Sequence, residues 1–278
     1  MDYKRVLTIQ DISCFGQCSL TVALPILSAC GVETVILPSA VLSTHTGGFT
    51  GFTFRDLTDD IPSIAAHWKK EGIDFDAIYT GYLGSVKHID MVKDIFKTLT
   101  RENGIKIVDP AMADNGNLYY GFDEVYASAM ASLCAEADLV LPNITEACFM
   151  TGMEYKEKYD EQYVNDILDA LEKAGMKNII LTGISYTEAT TGVVVKVNGK
   201  TEYYSHRRLP VGSHGTGDVF ASAFTGALLR GKSEYGASKV AANYTLRCIE
   251  NTVGDENHKY GVKFETAIPY LLTELEAE

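Results

Sequence analysis

The sequence predicts an α/β protein built on a mostly parallel sheet, and three features carry that prediction. Short apolar runs alternate with longer amphipathic ones from the N-terminus to about residue 190, the pattern of β-α-β units. Each short run ends in polar or glycine-rich residues, and open α/β sheets bind ligands at the carboxyl ends of their strands. Beyond residue 190 the chain reads Val193-Val194-Val195-Lys196-Val197, then Asn198-Gly199, then residues 200–205. Asn-Gly between alternating runs signals a hairpin, so an antiparallel edge is expected there.

The elements follow in order. Val6-Leu7-Thr8-Ile9 reads as a first strand, residues 20–30 as a helix closed by Gly31, and Thr34-Val35-Ile36-Leu37 as a second strand. Asp76-Ala77-Ile78-Tyr79, Ile105-Lys106-Ile107-Val108, Asp138-Leu139-Val140-Leu141 and Asn178-Ile179-Ile180-Leu181 continue the series, each after a helical stretch charged on one face. Helices return over residues 217–230 and 235–249, and an amphipathic helix runs from Phe264 onward. No repeat, low-complexity tract or linker interrupts the pattern, so a single domain over residues 1–278 is expected. The most loop-like stretch, Gly47-Gly48-Phe49-Thr50-Gly51-Phe52, reads either as a cover for an active site or as a plain surface turn.

Composition narrows the function. With 278 residues, 46% hydrophobic and 22% charged, the chain has the profile of a folded soluble protein. No stretch approaches the roughly 20 apolar residues of a membrane helix, and Met1-Asp2-Tyr3-Lys4-Arg5 runs directly into a strand rather than a secretory leader. A cytoplasmic location is expected. Lys+Arg 24 against Asp+Glu 37 leaves a net charge of −13, which disfavours nucleic acid and anionic lipid as partners. The six cysteines lack the paired spacing of a zinc site and read as reduced, mostly buried thiols.

The segment richest in chemistry is Gly212-Ser213-His214-Gly215-Thr216-Gly217-Asp218-Val219-Phe220-Ala221, a glycine-rich turn that opens into a helix. Its glycines allow close approach, and the first helical turn adds unpaired N–H donors and partial positive charge, which together favour an anion. On this motif alone Asp218 reads either as a helix cap or as a general base for an alcohol that attacks a phosphoryl group held by those amides.

Gly215-Thr216-Gly217-Asp218 followed by Val-Phe-Ala-Ser-Ala resembles the signature of the ribokinase-like small-molecule kinases. Further segments fall in that family's order: Leu7-Thr8-Ile9-Gln10, Ser43-Thr44-His45-Thr46-Gly47, Thr80-Gly81-Tyr82-Leu83-Gly84, Val108-Asp109-Pro110 with Asp114-Asn115-Gly116 and Leu118-Tyr119, and Leu141-Pro142-Asn143 with Glu146. Together they resemble the pyridoxal kinase branch over roughly residues 5 to 230. The resemblance implies a three-layer ribokinase-like sandwich, a homodimer, and transfer of the γ-phosphate of ATP to the 5′-hydroxymethyl group of a vitamin B6 vitamer, with Mg²⁺ and a monovalent cation such as K⁺ assisting. It makes Asp218 the base and Gly215, Thr216 and Gly217 the anion hole. It places Asp11, His45, Thr46 and Tyr82 around the substrate ring, Asp109, Asp114, Tyr119, Asn143, Thr182 and Gly183 around the nucleotide, and Asp114 and Glu146 near the metal. Read singly, Asp109 before Pro110 is also a turn former, and Asn143 with Glu146 is also a capping box. Arg207 and Arg208 are the nearest sources of positive potential for ATP in the sequence, or else exposed charges on an edge strand.

Two departures bear on substrate and cation. Asp11 stands where many members of the branch carry serine, and an ionised carboxylate accepts but cannot donate a hydrogen bond. Leu141 stands where many carry threonine, which removes a hydroxyl from the cation neighbourhood. The sister hydroxymethylpyrimidine kinases usually carry Lys-Gly-Gly-His where this chain reads Thr182-Gly183-Ile184-Ser185. A hydroxymethylpyrimidine kinase, and a non-catalytic regulator that binds a nucleotide or pyridoxal phosphate, stand as the alternatives.

Overall fold

The computed structural model describes residues 3–209 and 214–277. Gly212 and Ser213, in the first half of the glycine-rich turn, lie outside the described residues. The first half of the chain forms β1 (Arg5–Ser13), α1 (Leu20–Ala29), β2 (Glu33–Leu42), β3 (Phe54–Asp56), α2 (Ile61–Lys70), β4 (Phe75–Thr80), α3 (Val86–Leu99) and β5 (Thr100–Val108). The middle forms β6 (Ala113–Asp114), β7 (Asn117–Leu118), α4 (Glu124–Cys134), β8 (Leu139–Val140), α5 (Ile144–Thr151), α6 (Glu161–Lys173) and β9 (Ile179–Thr187). Then come β10 (Thr190–Val197), β11 (Lys200–Arg207), α7 (Thr216–Leu229), α8 (Glu234–Thr252), a 3-10 turn (Phe264–Ala267) and α9 (Ile268–Glu276).

The main sheet has nine strands in the order β11-β10-β9-β8-β5-β4-β1-β2-β3. Strands β2, β1, β4, β5, β8 and β9 pair in parallel. Both edges are antiparallel. The expected hairpin β10-β11 closes one of them, with Val197 opposite Lys200 and the turn residues Asn198 and Gly199 at φ 52° and 76°, the positive values that a two-residue hairpin turn demands. The other edge, β3, pairs with the end of β2 and has no apolar run long enough to announce it. β6 and β7 form a separate small hairpin.

Parallel strands covered on both faces should be apolar on both, and here alternate residues feed two cores. Val6, Ala77, Tyr79, Ile107 and Ile180 pack with α1, α7, α8 and α9. Leu7, Ile9, Ile78, Val108 and Leu181 pack with α2 to α6. The helices present matching stripes: in α6 the buried Val164, Ile167, Leu168 and Leu171 recur at helical spacing, and Asp160 caps the helix by accepting from the Tyr163 N–H at 3.0 Å. The result is the three-layer α/β/α sandwich that the family resemblance implies.

This topology decides where ligands can go. β1 leads through α1 to β2 on one side, whereas the chain next returns to β4 on the other side of β1. The strand order reverses there, and a crevice opens outside the carboxyl ends.

Candidate active site

Each parallel strand delivers residues to that crevice. Asp11 lies near the end of β1, where the β1–β2 register shifts between Gln10 and Ile12; such an irregularity re-aims side chains. His45 and Thr46 follow β2, Tyr82 follows β4, Asp109 follows β5, and Asn143 and Glu146 follow β8. Thr182 and Gly183 lie within β9, where Thr182 pairs with Asn143 in an isolated parallel bridge.

The glycine turn closes the crevice from the far end of the sequence. Gly215 is the N-cap of α7 at φ 76°, and a Cβ there would lie 1.7 Å from the Gln17 carbonyl oxygen. Only glycine satisfies both conditions. It also has no side chain to accept from the first-turn amides, while Asp218 lies in that first turn. The hydrogen bond to Asp218 comes from another element, the Ser19 backbone N–H. Ser19 is held at φ 54°, a region costly for a residue with a Cβ. Burial, reinforced by the charges of Asp109 and Asp11 and opposed by the Ser19 bond, pushes the Asp218 carboxyl up to about 8. A carboxyl of that pKa gives or takes a proton near neutral pH.

Near the end of β1, Asp11 is buried. Ser13 Oγ donates to its Oδ2 at 2.8 Å, the Ser19 hydroxyl bonds to it as well, and burial raises its pKa. Tyr82 stands close enough that burial and the Asp11 charge together push its hydroxyl up to about 12, and its ring packs 5.4 Å from Phe122. His45 is buried, with Nε2 3.0 Å from the Tyr260 carbonyl oxygen. Burial first, then the nearby His214, lowers its pKa, against the pull of that carbonyl. Its neutral ring therefore donates Nε2–H to the carbonyl and leaves Nδ1 as an acceptor. Thr46 is exposed beside it.

The opposite end gathers acids. Burial pushes Asp109 and Glu146 upward, and the Asp109 charge adds to the effect on Glu146. Burial first, then the charges of Glu146, Asp114, Asp109 and Asp218, raise the pKa of the Tyr119 hydroxyl. Glu146 and Asn143 are also tightly committed. The Glu146 N–H donates to Asn143 Oδ1 at 2.9 Å, Glu146 Oε2 accepts from the Asn143 N–H at 2.8 Å, and Oε1 accepts from the Met112 N–H at 3.1 Å. Asn143 Nδ2 donates to the Ala113 carbonyl at 2.8 Å. The capping box is thus real, and it ties α5 to the residue 111–113 loop that follows Asp109. Asp114 is exposed and accepts from the Asn115 N–H and Nδ2. Among the described residues no group of three His, Cys, Asp or Glu could hold a metal by itself. One or two carboxylates completed by phosphate oxygens and water is what Mg²⁺ usually takes, and Asp109 and Asp114 fit that donor set, with Glu146 occupied by backbone amides.

Several neighbours of the site carried no recognised signal. Ser19, directly before a helix, could have been found as an N-cap. Ser13, Cys18 and Gln17 enter because the turn after β1 wraps round Asp11 and Gly215. Tyr260 comes from a loop about 215 positions from His45, and no local pattern announces it. Arg207 pairs with Glu250, and Arg208 is exposed. The thiols are free, with Cys14 exposed, Cys18 half-buried and the other four buried. No helix among the described residues is long and apolar enough to cross a membrane.

The chain is similar to known kinases. The family model described as phosphomethylpyrimidine kinase matches residues 24–263. A candidate phosphomethylpyrimidine kinase from Bacteroides thetaiotaomicron, whose orthorhombic crystal form contains pyridoxal, is 36% identical with a TM-score of 0.91, over 97% of this chain and 96% of that one. The crystal structure of pyridoxal kinase from Lactobacillus plantarum is 31% identical with a TM-score of 0.90, over 98% of both chains. A curated pyridoxal kinase of Dictyostelium discoideum is 28% identical over 253 residues, 81% of this chain and 78% of that protein.

Proposed function

The chain belongs to the phosphomethylpyrimidine kinase family, and on that premise we propose that it transfers the γ-phosphoryl group of ATP to the 5′-hydroxymethyl group of a vitamin B6 vitamer: pyridoxal, pyridoxine or pyridoxamine. The observation that carries the proposal is the position of Asp218. It lies in the first turn of α7 with a carboxyl pushed up to about 8 by burial and by the charges of Asp109 and Asp11; in this reading Asp11 is the ring-side acid and Asp109 the nucleotide-side acid. As general base it takes the proton of the attacking hydroxyl, and the N-terminus of α7 at Gly215, Thr216 and Gly217 stabilises the charge on the transferring group. Asp109 and Asp114 would hold Mg²⁺, which when bound neutralises phosphate charge. The capping box of Asn143 and Glu146 fixes the loop that carries these acids, and Tyr119, Thr182 and Gly183 border the nucleotide. Asp11, His45, Thr46 and Tyr82 orient the ring so that its hydroxymethyl arm meets Asp218.

Two observations favour B6 over the pyrimidine named in the family description. The 36%-identical Bacteroides protein contains pyridoxal in its crystals, and this chain reads Thr182-Gly183-Ile184-Ser185 where Lys-Gly-Gly-His marks the pyrimidine branch. ATP-dependent phosphorylation of the three vitamers and of hydroxymethylpyrimidine, each beside Asp218→Asn, tests the proposal. Vitamer turnover that collapses in the variant is expected. Turnover of the pyrimidine alone moves the protein to the sister activity, and ligand binding without any turnover makes it a regulator.

A further inference from the structure

The ring end of the cleft is acidic, and its acid lacks a counter-charge. Asp11 is 4% exposed, yet the groups that bond to it are all neutral: the Ser13 and Ser19 hydroxyls and its own backbone N–H. Its charge reaches Tyr82, the Cys18 thiol and Asp218. Among the described residues, no lysine or arginine acts on Asp11 or Asp218. Three neutral donors leave one of the four acceptor positions of a carboxylate open, and a buried charge without a charged partner is costly until something positive arrives. Asp218 is engaged at the phosphoryl end, and Asp109 and Asp114 face the nucleotide, so Asp11 is the acid left over for the substrate ring.

We propose that Asp11 is a specificity-determining residue that selects a substrate bearing an ammonium group, the aminomethyl arm of pyridoxamine, over substrates whose corresponding arm is a neutral alcohol or aldehyde. A primary alkylamine stays protonated at neutral pH, as lysine does. Its N⁺–H groups make the charge-assisted bonds that an isolated carboxylate lacks, and these are about twice as strong as neutral ones. A neutral arm leaves the Asp11 charge unmatched. The inference rests on the B6 kinase reading.

The test is kcat/KM of the wild-type protein for pyridoxamine, pyridoxine and pyridoxal with ATP and Mg²⁺ at neutral pH, repeated for Asp11→Ser and Asp11→Asn. Wild type is expected to favour pyridoxamine over pyridoxine by about tenfold or more, and both variants should lower that ratio by at least about tenfold, mainly through the KM of pyridoxamine. The wild-type ratio stands as a measurement even if a variant folds poorly. Turnover of all three vitamers at a wild-type ratio near one, or a ratio that both variants leave unchanged, overturns the role of Asp11 and leaves the kinase reading standing. Turnover of hydroxymethylpyrimidine alone overturns both.

Discussion

Replacing Asp218 with asparagine should move stability and activity in opposite directions. In the unfolded chain this carboxyl ionises near 3.8, whereas burial and the charges of Asp109 and Asp11 lift it to about 8 in the fold. Between those values the folded protein holds a proton that the unfolded chain has released. The stability associated with Asp218 is therefore fully present below about pH 4 and is lost progressively as pH rises through about 8. Each unit of separation corresponds to about 1.4 kcal/mol, so at pH 7 the burden reaches about 4 kcal/mol, and water in the cleft mouth screens it to about half of that. Asparagine keeps an oxygen for the Ser19 N–H and removes the charge. Asp218→Asn should thus gain about 2 kcal/mol at pH 7, a rise of about 5 °C in Tm, with little gain at pH 4, while kcat falls by about 10² to 10⁴ through loss of the base. The wild-type kcat/KM should climb with pH through an apparent pKa near 8, a limb that the variant lacks. Thermal unfolding at pH 4 and 7, paired with vitamer phosphorylation, reads both effects. A variant that melts lower and keeps turnover within tenfold would show Asp218 to be a helix cap and refute the reasoning.

Gly215→Ala places a Cβ 1.7 Å from the Gln17 carbonyl oxygen at φ 76°; backbone strain alone costs about 1–3 kcal/mol, so Tm and kcat should both fall. A Cβ at Gly217 meets nothing within 4 Å, so Gly217→Ala should keep its Tm, and a drop in kcat then reports occlusion of the anion. Asn143→Ala removes an N-cap worth about 0.5–2 kcal/mol and frees the Ala113 carbonyl; urea denaturation should show the loss, and KM for ATP should rise more than KM for the vitamer. His45→Ala breaks the bond to the Tyr260 carbonyl, and steady-state kinetics should show ring-substrate KM rising more than kcat falls.

The sequence by itself determined the sheet and most of the cleft floor. Strands such as Val6 to Ile9 and Ile105 to Val108 are apolar on both faces because helices cover both, and that demand is local and leaves a local pattern. The hairpin at Asn198-Gly199 was legible because its turn needs positive φ at both positions. Residues that follow strand ends, such as Asp109 after β5 and Asn143 after β8, were legible for a related reason, since a parallel sheet delivers all its carboxyl ends to one side. The edge strand β3 was not, because three exposed residues pairing with the end of β2 need no apolar alternation.

Only the tertiary structure decided how the acids divide their work. The capping box that engages Glu146 and Asn143, the pairing of Arg207 with Glu250 and the bond from His45 to the Tyr260 carbonyl join positions far apart in the chain or leave more than one use open to a side chain. The protonation state of Asp218 belongs to the same class. Its pKa is set by burial and by Asp109, Ser19 and Asp11, which come from three other segments, and desolvation is a property of the assembled cleft that no stretch of sequence possesses alone.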